Sequence, residues 1–301
     1  MNRLFFVIAS VLITGLSACN KELDQAPTPA KARVSAEKGF PPIVVSQKHY
    51  QLTKQGEMVI TYDSFPFNRI SKTASSSSGY TVYEYNDTPG NRSVKTSRYM
   101  FSQLLNTATY QLDDNGLCLR ADYTTYVYVP DYSDTLPAET EVIHTQYGYT
   151  NGRLYFKNST KEWAFYGGKL TPAGNPETSI LSYNASGDLT GQQTFAKQKK
   201  IAEITYGYGP SVGQPDMTDK LPLNSEDVVM NPYLKVFGSF NEHLIRSRVL
   251  KYFDGSTPPG GLISLYDYVL NDEGYVTSRT FKRGGYTKTD AYTYYVSTRP
   301  F

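Results

Sequence analysis

From Ile43 onward, apolar and polar residues alternate with a period of two, and no 3.6-residue period competes with it. Tyr80-Thr81-Val82-Tyr83-Glu84-Tyr85, Tyr123 to Val129, Tyr147-Gly148-Tyr149, Tyr206-Gly207-Tyr208, Leu265 to Leu270 and Tyr292 to Val296 all read as strands. In each Tyr-x-Tyr pair both rings fall on one face, because side chains alternate across a strand. Turn signals separate these runs: Asp113-Asp114-Asn115-Gly116, Thr150-Asn151-Gly152, Ala185-Ser186-Gly187 and Asn271-Asp272-Glu273-Gly274. Such pairs supply the positive φ that tight hairpins need. At one signal every 8–12 residues or so, about fifteen strands fit the body of the chain. The pattern predicts an all-β fold: a large antiparallel meander, strongly curved or barrel-like, in one domain over 46–301.

Two stretches depart from the alternation. Gly209 to Asn231 carries Pro210, Pro215, Pro222 and the run Ser225-Glu226-Asp227-Val228-Val229-Met230. It predicts an excursion near 209–231 containing one short helix, capped by Ser225 or Asn224. Ser75 to Ser78 reads as a loop tip.

The N-terminus follows a different logic. Arg3 precedes the apolar stretch Leu4–Leu16, which has the length of a signal h-region and is too short to span a bilayer as a helix. Leu16-Ser17-Ala18-Cys19 then resembles the bacterial lipobox, which implies cleavage after residue 18 and three acyl chains on Cys19. Two or more chains hold a protein stably at a membrane. Residues 1–18 are therefore expected to be a lipoprotein signal peptide. Residues 19–45, with Pro27, Pro29, Pro41 and Pro42, are expected to form an extended linker. Asn20-Lys21-Glu22-Leu23-Asp24 resembles a surface-export tag, and a solvated tether reads equally well. The expected location is the cell envelope, anchored at the outer membrane, with periplasmic and surface faces both open.

Composition adds three points. The 27 Tyr outnumber 14 Phe and 1 Trp, which favours broad pleated surface with rings packed and hydroxyls wet. A net charge of +2 leaves no electrostatic footprint for nucleic acid. Acylation of Cys19 leaves Cys118 as the one remaining thiol, so no intramolecular disulfide is expected.

A unit of aromatic strand, acidic or Asn turn, Gly and apolar strand recurs, as in Tyr147…Asn151-Gly152-Arg153-Leu154 and Tyr266-Asp267-Tyr268…Asp272-Glu273-Gly274-Tyr275-Val276. It resembles the tyrosine–aspartate (YD or Rhs-type) repeat in degenerate form. Phe237-Gly238-Ser239-Phe240-Asn241, with Tyr266-Asp267-Tyr268 and Gly274-Tyr275-Val276-Thr277, resembles the C-terminal half of a family of lipoproteins of unknown function. That resemblance implies a porin-like β fold and no chemistry. A membrane-spanning barrel is disfavoured, because lipid-facing strands need an apolar residue at alternate positions over about 9–11 residues. Here Lys95, Arg98 and Lys199-Lys200 enter the strands.

Candidate chemistry is sparse. Cys118 with His49, His144 or His243 could in principle form a thiol–imidazole nucleophile, but Leu117-Cys118-Leu119 reads as buried packing. The three His lack ligand spacing, and the acidic turns do not continue into a calcium loop, so neither a metal nor a cofactor is expected. Glu139 and Glu141 share a strand face, as paired hydrolytic carboxylates or a charged edge would. Trp163, Phe165 and Tyr166 could form a stacking platform for sugars, or structural cross-strand pairs. Asp134-Thr135-Leu136 resembles an O-glycosylation acceptor, with Thr135 as the modified residue. The expected role is a non-enzymatic binding or scaffolding module, its partners being the membrane through Cys19 and an envelope protein or glycan. A glycan-binding or glycan-processing accessory protein is the alternative.

Overall fold

A computed structural model describes residues 47–64, 69–128, 137–209 and 217–299. Cys19, the linker and Thr135 lie outside these residues. The first eight strands are β1 (Gln47–Gln55), β2 (Met58–Tyr62), β3 (Ile70–Ser75), β4 (Gly79–Asn86), β5 (Ser93–Met100), β6 (Gln103–Leu112), β7 (Cys118–Val127) and β8 (Glu139–Thr150). The second eight are β9 (Arg153–Phe165), β10 (Thr171–Tyr183), β11 (Leu189–Ala196), β12 (Lys199–Gly207), β13 (Ser247–Tyr252), β14 (Leu262–Leu270), β15 (Val276–Arg283) and β16 (Tyr286–Arg299). Each pairs antiparallel with its sequence neighbours, and β1 pairs with β16 from Gln47↔Arg299 to Gln55↔Tyr292. The meander is thus a closed sixteen-strand barrel, and closure leaves no free sheet edge.

The recurring aromatic–turn–Gly units all land on one rim. Asp113–Gly116, Asn151–Gly152, Asn184–Asp188 and Asn271–Gly274 connect an even strand to the next odd one. Asn151 and Gly152 both hold positive φ, 51° and 73°, as a two-residue hairpin turn requires.

The tyrosines explain themselves once the barrel is closed. Tyr83, Tyr110, Tyr206 and Tyr208 are buried among the apolar residues of the lumen. The sequence led us to expect wet hydroxyls; the structure ties many of them to backbone. Tyr62 donates to the Leu52 carbonyl, Tyr85 to Ile70, Tyr149 to Cys118 and Tyr183 to Leu154. Tyr208 donates to Leu189, Tyr268 to Ile245 and Tyr294 to Val276. In every case a ring on an even strand, or one residue past it for Tyr208, reaches back to the preceding odd strand or the residues leading into it. Each bond clasps one hairpin from inside and gives the buried hydroxyl a partner. Burial pushes the Tyr62 and Tyr292 hydroxyls up to about 12, so both stay neutral at physiological pH.

The expected helix near 209–231 is not formed: no helix occurs among the described residues. Ser225 accepts from the amides of Val228 and Val229, a single turn that goes no further. Asn224 does not cap it; its side-chain amide donates to the carbonyls of Asn231 and Leu234. The physical reason is that residues 217–246 form a plug, packed into the lumen. Val228, Val229, Leu234, Val236, Phe237 and Phe240 join the same buried cluster as Leu52, Val94, Leu154 and Leu189 of the wall. A segment wrapped by wall on many sides needs no amphipathic helical face.

The wall supplies the plug's polar partners. The amides of Cys118 and Leu189 donate to the carbonyls of Val236 and Phe240. Lys157 Nζ donates to the Val228 carbonyl at 2.9 Å, and Asn231 exchanges hydrogen bonds with Tyr83. Gly238 bridges to Arg153 with φ 75°, and a Cβ there would collide with the Gly152 carbonyl oxygen. Gly238→Ala is therefore expected to destabilise the protein by more than about 1 kcal/mol in urea titration, the cost of forcing a side chain into a left-handed, crowded position. An unchanged midpoint would show that the plug does not seat there.

The outer wall is polar. Alternation from buried Tyr83, Ala121 and Ile204 turns Glu84 and Lys95, Asp122 and His144, and Glu203 and Lys251 outward within their strands. Ile263, Leu265 and Val269 are exposed on β14, but Asp267 interrupts them and pairs with Lys282 at 2.8 Å. An acyl-chain solvent would impose a cost on each such charge.

Candidate functional site

Between the plug and the rim formed by the β1–β2, β3–β4 and β15–β16 turns lies a cavity of about 780 Å³. That size falls within the range of small-molecule sites. Its wall comes mainly from β1, β12 to β16 and the plug, so residues more than 200 positions apart face one another.

Two ion-pair groups organise it. Asp227 of the plug is gripped bidentately by Arg248 and also accepts from Tyr206 at 2.9 Å. Asp290 accepts from Arg279 at 3.2 Å and from Lys288 at 3.0 Å. Around them stand Tyr266, Phe281 and Tyr292, with Tyr286 at the rim. Phe281 contacts Tyr266 at 5.6 Å and Tyr286 at 6.2 Å between ring centroids.

Two atoms in this wall stand out. Gln55 is only 8% exposed; its amide nitrogen donates to Tyr292, but its Oε1 has no partner. Arg279 Nε is likewise buried and unpaired. Buried polar groups are almost always satisfied, so an orphan acceptor and an orphan donor in one cavity call for a reason.

The residues singled out from the sequence sit elsewhere. Trp163 lies opposite Glu141 on β8, and Glu141 is bound to Lys161 at 3.2 Å. Two-residue alternation puts Trp163 and Phe165 on the face of Lys157, while Tyr166 adopts positive φ in the following turn. Phe165 and Tyr166 are exposed, and none of the three lines the cavity. Glu139 pairs across the ladder with Phe165.

Cys118 is fully buried, its thiol pushed up by desolvation and bonded to the Arg120 carbonyl. It touches none of the imidazoles that could activate it. His144 contacts Asp122 at 2.6 Å on the outer wall, and His243 of the plug contacts Asp188 at 2.9 Å. His49 lies opposite Ser297 on the outward face of β1. No group of potential metal ligands occurs among the described residues.

No family model matches the chain, and no curated protein matches it. Solved structures do. A protein from Bacteroides vulgatus, described as porin-like, is 11% identical with a TM-score of 0.51, covering 83% of this chain and 98% of its own. A second porin-like protein, from Bacteroides uniformis, is 17% identical with a TM-score of 0.45, covering 82% and 97%. The likeness is one of fold: this chain has a porin-like β barrel.

Proposed function

We propose that the protein is an envelope lipoprotein, anchored through acylated Cys19, whose barrel stands in water and binds a small ligand inside its lumen. One observation carries this reading: the wall is polar outside, while the lumen is occupied by the chain's own plug and keeps a cavity lined by rings and charges. A pore needs the reverse, an apolar band outside and a continuous channel within. The lipobox supplies the attachment that such a wall does not. Binding is the activity assigned.

The experiment has two parts. Intact mass of the protein from membranes should show a chain beginning at Cys19 and carrying acyl mass, and Cys19→Ser should release the barrel into the aqueous fraction. Added to planar bilayers, the purified protein should give no stable conductance steps. An unmodified chain beginning at Met1, or stable conductance steps from the purified protein, would overturn the proposal.

A further inference from the structure

The lumenal site just proposed has a composition that selects among ligands. Its cations are already matched: Arg248 is held by Asp227, and Arg279 and Lys288 share Asp290. Arg283 donates its Nε to Ser264, and the cavity's five carboxylates, Glu57, Asp219, Glu226, Asp227 and Asp290, outnumber its four cations. An anionic ligand would meet a wall with no surplus of positive charge, and desolvating it would go uncompensated. Pure hydrocarbon fits no better, because it would leave Gln55 Oε1 and Arg279 Nε unsatisfied.

What those two atoms require is a group that donates to one and accepts from the other. A hydroxyl does both. Phe281 and Tyr286 add ring faces beside these polar groups, suited to the apolar faces of a ring whose edge carries hydroxyls. We propose that the cavity binds a neutral saccharide, with Gln55, Arg279, Asp290 and Tyr292 engaging its hydroxyls and Phe281 and Tyr286 packing against its ring faces.

The inference rests on the lumenal reading, and the test separates the two. The full chain, purified from membranes in a detergent without a sugar headgroup, is titrated calorimetrically with three probe sets. These are neutral tri- and tetrasaccharides of glucose, mannose and xylose; their uronic-acid counterparts; and short peptides. Each titration is repeated with Gln55→Met, which removes the orphan acceptor, and with Tyr286→Ala, an exposed rim residue whose loss leaves the fold intact. A neutral saccharide should bind, weakened at least tenfold by each variant, and a deoxy analogue lacking the recognised hydroxyl should bind more weakly still. Uronic acids or peptides binding instead, with the same variant sensitivity, would overturn the saccharide assignment and leave the lumenal site standing. Saccharide binding untouched by both variants but abolished by Trp163→Ala would move the site to the other wall and overturn the assignment of these residues. No binding by any probe would remove both readings.

Discussion

Phe237→Ala is expected to lower stability by about 3–5 kcal/mol, the usual cost of deleting a fully buried aromatic ring. Phe237 is 0% exposed although it belongs to a connection and not to a strand. Its ring meets Tyr110 and Tyr147 edge-on, at 5.8 and 5.3 Å between centroids, so it sits where β6 and β8 face the lumen. The flanking Val236 carbonyl is held by the Cys118 amide, so backbone cannot collapse freely to fill the space. A cavity should remain, and its size sets where in that range the loss falls. Urea unfolding with the slope unchanged and the midpoint lowered would register a loss in the native state. A change below about 1 kcal/mol would mean that the plug is not packed against the wall.

The same segment marks where the sequence stopped being legible. Strands and their turns were readable because each depends on neighbours a few residues away: alternation sets the face, and Asn-Gly or Asp-x-Asn-Gly sets the reversal. Closure was not readable, since β1 meets β16 across the whole chain and neither strand differs in pattern from an edge. The run Ser225 to Met230 resembled a helix start because Asn224, Ser225 and the acidic residues after them have capping chemistry. What decides its conformation is Arg248 and Tyr206 closing on Asp227, contacts with no local signature.

A usable signal did exist. The connection from β12 to β13 is far longer than ordinary loops and holds Val236, Phe237, Phe240 and Leu244 outside any alternating run. Long apolar loops must be buried somewhere, and in a barrel the lumen is the space large enough. The cavity was harder still. Gln55, Arg279 and Asp290 look like ordinary strand residues until β1, β15 and β16 are brought side by side, whereas Trp163 drew notice through the local aromatic cluster it makes with Phe165 and Tyr166.

Asp188→Ala should be the second most damaging change, by about 2–4 kcal/mol, because one carboxylate fastens the plug to the β10–β11 turn. Asp188 is fully buried and accepts from the amides of Glu242 and His243 at 2.8 and 2.9 Å. It also accepts from Asn184 at 3.2 Å and contacts the His243 ring at 2.9 Å. Alanine strands two backbone donors in a place water reaches poorly, and each such donor costs about 1–3 kcal/mol. Burial by itself would raise the Asp188 carboxyl, but hydrogen bonds from His243, the two amides and Asn184 outweigh it, and the group titrates below its ordinary value of 3.8. The sign follows. A group whose folded pKa is depressed contributes its stability in full above the unfolded value and loses it as pH falls through the folded one. Wild type and Asp188→Ala should therefore differ by a constant amount from neutral pH down to about 4, and the gap should narrow below that. Hydrogen exchange offers an independent check: amides of residues 240–244 should lose protection in the variant at neutral pH while those of β4 to β6, which lack contact with this turn, keep theirs. A gap that stayed constant into strong acid would show that the carboxylate's charge plays no part in holding the plug, leaving shape alone to do it.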